Sequence, residues 1–393
     1  MVRPQCPTYA VPVGFPVFGL AFTTTNQLLV GGGGGAGRSG IQNKLVSYRV
    51  EPRRKDLEEE AVYEFSNEED APMCLDVHPV DDTILAGVNA SEEDIKKGKN
   101  SNCRVFKAHE ATIELVKSMS TLDSKNPDDY QKAVRFCADG SLFATGTSNG
   151  QVNVYNYPDY TPLCDTIQVS EDDEVMDVDI SNKKDKLVAL TRDAIKLASL
   201  RGRHTGKVMQ TISSPALDKK QKLQFRAFRY GRLYSKESAY LVGNSKSGGH
   251  LLKLDAYTLE VISNVKISKK PITSFCLSRE GGMAVVATAD FSVIIMDATT
   301  LRVLHTVKEA HGFSITSIAI SPDRLLLATG SADNSCRVVS LPQQFPSSAA
   351  AVIHPLKTVL LAVIVSLLLV AILRLFDSYY TDTSAVFNET STD

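Results

Sequence analysis

From about Val17 to Leu341 the chain has no long segment with a 3.6-residue hydrophobic period. It is written in short β-rich runs separated by Gly, Asp, Asn and Ser. The runs fall into groups of about four. The first run of each group begins near Val17, Met73, Ala133, Val175, Gln224, Ile272 and Ile315. These starts are about 42 to about 60 residues apart, close to the ~40–45 residues of one propeller blade with some loops enlarged. A strand repeat of that length buries its apolar faces by setting four-stranded sheets radially around an axis. The expected fold is therefore all-β, a seven-bladed β-propeller over residues 1–341.

The last group is the clearest. Phe313 to Ile320 alternates as a strand, Ser321-Pro322-Asp323 turns, Leu325 to Gly330 is a second apolar strand, and Ser335 to Ser340 is a third. With His311 ahead of the first strand, this unit resembles a WD-repeat blade. Val339 stands where the family's tryptophan is expected, and the chain contains no Trp at all, so its repeats are degenerate. This last group lacks an outer strand. Thr8 to Val13, ahead of the first group, is expected to supply it and so join the two ends of the ring.

Two insertions break the frame. Between the second and third strands of the first blade runs Leu28 to Ser47, with glycine at 31–35, 37 and 40. A loop this poor in side chains is either a floppy tip or a backbone held in a shape only glycine allows. In the second case its carbonyls can ligate a hard cation. It is not a phosphate-binding loop, because Gly40-Ile41-Gln42-Asn43-Lys44 has no Gly-Lys-Ser/Thr and leads into a strand. The second insertion, Ala90 to Ser101, occupies the equivalent place in the next blade, so both are expected on one face. The acidic runs Glu58 to Glu60 and Asp123 to Asp129 read as solvated connections.

A net charge of −2 over 393 residues argues against nucleic acid as the main partner. The basic patch Arg201 to Lys207 reads as a solvated turn. Seven cysteines at scattered positions form no paired motif, which fits a reducing compartment. Residues 342–357, rich in Pro, Ser and Ala, read as a linker. Residues 358–376 are apolar apart from Thr358, Ser366 and Arg374, a span of ~28 Å as a helix. A membrane anchor is expected there, a buried helix of the domain being the other reading. With an acidic tail at 377–393 and no amino-terminal signal, the expectation is a single-pass type II protein. The propeller would lie in the cytosol and Asn388, in an Asn-Glu-Thr sequon, on the far side.

The order of these parts, an early GGGGGAG…GIQNKL loop, poorly conforming blades and one terminal apolar helix, resembles the endoplasmic-reticulum guanine nucleotide exchange factors. That family activates the small GTPase Sar and starts COPII coat assembly. The resemblance covers residues 6 to 376. It implies exchange without covalent chemistry, at the endoplasmic reticulum membrane. It also implies that the loop from Gly31 to Lys44 is ordered by a potassium ion and pushes on the GTPase. The implied ligands are mainly backbone carbonyls of Gly31, Gly32, Gly33, Gly34 and Gly35, with Asn43. Asn43 and Ile41, together with Pro72 and His311, match positions implied at the partner surface. Gln42 stands where the family often has proline. Each position also has a plainer reading: Asn43 caps the loop, Pro72 starts a strand, and His311 is the structural histidine of a WD blade bonded to Asp333. A membrane-anchored scaffold without exchange activity is the alternative function.

Overall fold

The computed structural model describes residues 6–36, 39–109, 111–214, 216–218, 221–345 and 363–374. Alternating apolar and polar residues close each group into a four-stranded antiparallel sheet, and the described residues form seven such sheets. Their inner strands are Val17–Phe22, Cys74–Val77, Gln131–Phe136, Asp177–Ile180, Gln224–Tyr230, Ile272–Leu277 and Ile315–Ile320. Second strands such as Leu28–Gly32, Leu142–Thr147 and Met283–Thr288 are buried along their whole length. They are covered by adjacent blades on both faces, which explains their unbroken apolar character. Outer strands are wetter, and Val208–Ser213 is exposed at nearly every position. Aromatic residues fill the wedges between blades, with Phe225, Phe228 and Tyr230 fully buried between the fourth and fifth.

The ring closes as the sequence suggests. Thr8–Pro12 pairs antiparallel with Ser335–Ser340, in register from Thr8 opposite Val339 to Pro12 opposite Ser335. The first blade comprises Val17–Phe22, Leu28–Gly32, Lys44–Glu51 and Asp56–Glu64. The run Glu58 to Glu60 is therefore in its outer strand and not in a connection. Glu58 pairs there with Arg49 and Arg54, each at 2.7 Å. Charged side chains on such an edge discourage pairing with other sheets. The insertion of the second blade carries a short helix, Glu92–Lys96, capped by Ser91. Arg201 to Lys207 is a turn around a 3-10 segment, Gly202–His204, with no buried residue. A small hairpin, Ala216–Asp218 with Gln221–Lys222, was not legible in the sequence. All seven cysteines are free, and Cys74, Cys103 and Cys336 are buried.

The propeller forms one compact unit ending at Gln343. Residues 363–374 are helical with every residue exposed. Among the described residues no helix is long and apolar enough to cross a membrane. The expected 358–376 span extends beyond the described residues at both ends, and Asn388 lies outside them.

Deleting residues 1–12 should leave Ser335–Ser340 as an open edge and uncover Cys336, Val338 and the other residues of the cluster that Tyr9 belongs to. We expect the melting temperature to fall by roughly 5 °C or more and aggregation to increase. An unchanged melt would show that the closing strand contributes nothing.

Candidate functional site

Glycine is required at several points of the loop. Gly31 pairs with Gly19 on one side and Leu45 on the other, and Gly32 with Val17 and Lys44, so both are strand residues. A Cβ on Gly31 would sit 3.0 Å from Pro72 Cβ, and one on Gly32 would overlap the Pro16 carbonyl oxygen. The true loop is thus shorter than the glycine run. It begins at Gly33, whose φ of 146° and whose contact with Asn43 leave no room for a side chain. Gly33 N donates to Pro16 O at 3.0 Å and Gly34 N to Ile41 O at 3.3 Å. Gly37 and Arg38 lie outside the described residues.

Asn43 organises the backbone of the loop. It is 3% exposed. Its Oδ1 accepts from Gly35 N at 2.9 Å, and its Nδ2 donates to Gly35 O at 3.2 Å and to Glu69 O at 2.8 Å. Its own carbonyl accepts from Phe65 N at 3.0 Å. One amide side chain therefore ties the glycine backbone to the connection between the first and second blades. The capping reading of Asn43 is what the geometry displays, with the amide buried away from any partner.

That connection was not legible as part of the site in the sequence, although Glu69 and Asp70 closely precede Pro72. Glu69 is held by Arg104 at 2.8 Å, both side chains being largely buried. Asp70 Oδ1 accepts from Ala71 N at 2.8 Å and from Ala36 N at 3.3 Å, reaching across to the loop. Pro72 is buried against Gly31, two residues before strand Cys74–Val77 begins. It is a floor under the glycine run and not a strand start. Ile41 is half-buried against the apolar cluster between the first and seventh blades. Beside Gly34 and Gly35 opens a cleft of 360 Å³, lined also by Phe18, Asp70, Met73 and Tyr130.

His311 lies apart from this assembly, in the seventh blade. Its side chain is fully buried. Nε2 is 2.8 Å from Thr329 Oγ1, and Nδ1 is 3.1 Å from both Asp333 Oδ2 and Ser335 Oγ. The geometry is that of the structural histidine, which presents no group to a partner. Its neighbour Phe313 is exposed, at 59%. Burial pushes the His311 pKa below its ordinary value, opposed by the nearby Asp333 carboxylate.

A WD domain, G-beta repeat family model matches residues 100–156 and 301–340. Guanine nucleotide-exchange factor SEC12 of Candida glabrata is 25% identical over 349 residues, covering 86% of this chain and 72% of that protein. SEC12-like protein 2 of Arabidopsis thaliana is 24% identical, covering 78% of this chain and 74% of its own. The chain is homologous to the SEC12 guanine nucleotide-exchange factors. The SEC12 of Rattus norvegicus aligns over 348 residues at 22% identity, covering 79% of this chain and 82% of that relative. Among solved structures, Chaetomium thermophilum Raptor superposes with a TM-score of 0.65 at 13% identity, over 86% of this chain and 28% of that one. This last likeness is of fold alone. The SEC12 relationship spans most of the chain, whereas the family model covers parts of four blades.

Replacing Asn43 by Ala should strand Gly35 and the Glu69 carbonyl and cost about 1–3 kcal/mol. Hydrogen exchange at Gly35 and Ala36 should accelerate tenfold or more, and protection there equal to the parent's would contradict the role given to Asn43. For His311 the sign is set by its lowered pKa. The unfolded chain takes up the proton near the ordinary ~6.5 and the folded chain does not, so stability falls as pH drops below about 6.5. His311→Ala should lower stability by about 2 kcal/mol at pH 8 and flatten the profile between pH 7 and 5. A parallel profile would remove His311 as its source.

Proposed function

We propose that this chain is a SEC12-type exchange factor that promotes GDP release from the small GTPase Sar. In this reading residues 358–376 anchor it in the endoplasmic reticulum membrane, with the propeller in the cytosol, where it starts COPII vesicle formation. The observation that carries the reading is the glycine loop tied down by Asn43 on a rigid ring, in a chain homologous to SEC12 factors across most of its length.

Exchange needs no acid, base or nucleophile. It needs a surface that binds the nucleotide-free GTPase better than the GDP-bound one, since only differential affinity moves an equilibrium. A floppy tip would lose much of that affinity to ordering. Here Asn43, Pro16 O, Ile41 O and Asp70 fix the loop backbone beforehand. Its shape is thus set before the partner arrives, and the seven-bladed ring behind it resists the reaction force.

The oxygens around the loop suit a hard monovalent cation: backbone carbonyls, the Asn43 amide oxygen and the Asp70 carboxylate. Gly31 and Gly32 are committed to the strand ladder, so the residues that would hold potassium are Gly33, Gly34 and Gly35, with oxygens of Asn43 and Asp70 beside them. A bound potassium would supply positive charge that offsets the crowded carbonyl dipoles. The chain's own hydrogen bonds then fix which way the loop projects.

In a GDP-release assay with the full chain in detergent and purified Sar, we expect clear acceleration, reduced at least tenfold by Asn43→Ala. Binding of Sar without faster release would instead make the chain a scaffold. Replacing potassium by lithium should lower the acceleration, and equal rates in both salts would remove the ion from the mechanism.

A further inference from the structure

The turns joining first to second strands and third to fourth strands all lie at the end of the ring opposite the glycine loop. At this end Arg279 of the sixth blade donates to Pro79 O of the second, across the mouth of the central channel. Of the large apolar side chains described on the propeller, the four with 70% exposure or more are Val80, Leu233, Tyr234 and Tyr257, and all four sit in these turns. Single exposed apolar residues mean little, but their concentration at one end of a ring does.

The turn that projects Leu233 and Tyr234 is not loose. Tyr234 N donates to Glu280 O at 3.0 Å, and Ser235 Oγ to Gly281 O at 2.8 Å. Gly281 has no side chain because a Cβ would strike Arg232. The fold thus holds a leucine and a tyrosine out in water on a braced support. Basic side chains surround them on the same end: Lys183, Arg203, Lys236 and Arg279 are all exposed. Glu237 is exposed beside them, while other carboxylates of these turns are engaged by the backbone of their own turn. Asp255 accepts from Tyr257 N at 2.9 Å and Thr258 N at 2.7 Å, and Asp297 accepts from Thr300 N at 2.7 Å.

The exit of the chain selects the occupant. Because Thr8–Pro12 takes the outer position of the seventh blade, the chain leaves the ring at the end of Ser335–Ser340, on this same end. Leu341 N donates to Leu325 O at 2.7 Å, in the turn between that blade's first and second strands. The linker 342–357 can span at most ~55 Å before the apolar segment begins. We infer that this end of the propeller docks on the membrane surface, with Leu233, Tyr234, Tyr257 and Val80 entering the headgroup region and the surrounding Lys and Arg on anionic lipid. Leucine and tyrosine beside basic residues are the side chains that partition to that interface. Tethering at short range makes even weak docking effective. The glycine loop then points away from the bilayer. The inference rests on reading 358–376 as an anchor.

The chain lacks tryptophan, so one introduced indole reports its own depth. Full-length Tyr234→Trp and Phe313→Trp, the latter on the opposite end, would be reconstituted in vesicles with brominated acyl chains, with and without anionic lipid. We expect quenching of Tyr234→Trp at least about threefold stronger than that of Phe313→Trp, greater on anionic vesicles and reduced by salt. Adding Leu233→Asp should abolish the difference. Equal quenching at both sites in chains that float with the vesicles would overturn the docking face alone. Chains that fail to float would overturn the anchor and the docking face together.

Discussion

The pairing of Thr8–Pro12 with Ser335–Ser340 is the constraint on which the rest of the molecule depends. It joins residues more than three hundred positions apart and removes the open ends that a ring of sheets would otherwise present. Closure makes the ring a stiff frame. It also fixes which end the chain leaves from, and hence which end is free for a partner.

On the free end, the first blade carries a loop whose conformation is dictated by contacts that only glycine permits. Gly32 lies against Pro16 O, Gly33 against Asn43, and Gly31 over Pro72. The sequence is costly as a chain, since each glycine loses more entropy on ordering than any other residue. The hydrogen bonds of Asn43 offset that cost locally. A buried amide that pairs with both groups of Gly35 does for this loop what a turn would do for an ordinary hairpin. The opposite end shows the complementary economy, apolar side chains braced in water on the end from which the chain leaves the ring.

Much of this was legible from the residues. The repeat interval and the missing outer strand of the last blade were enough to place seven sheets and their closure, because strand alternation and turn residues are local signals. The glycine run marked the site for the same reason. What sequence alone could not resolve was register. It put Gly31 and Gly32 in the loop and Glu58 to Glu60 in a connection, where the structure has strands, and it gave no sign that Pro72 is the floor of the glycine run. Those facts depend on which strands face each other. Glu69 and Asp70 carry no local signal of their role, which is to meet a segment some thirty residues earlier. His311 had two readings of similar weight until its three hydrogen bonds and complete burial placed it inside the blade.

The central claim is that a preshaped loop on a rigid ring prefers a GTPase whose nucleotide site is empty. The direct measurement is the affinity of the full chain for Sar in the nucleotide-free and GDP-bound states, under the same salt. The account predicts binding at least about a hundredfold tighter to the nucleotide-free form, a difference of about 2.7 kcal/mol. Equal affinity for the two forms would contradict it.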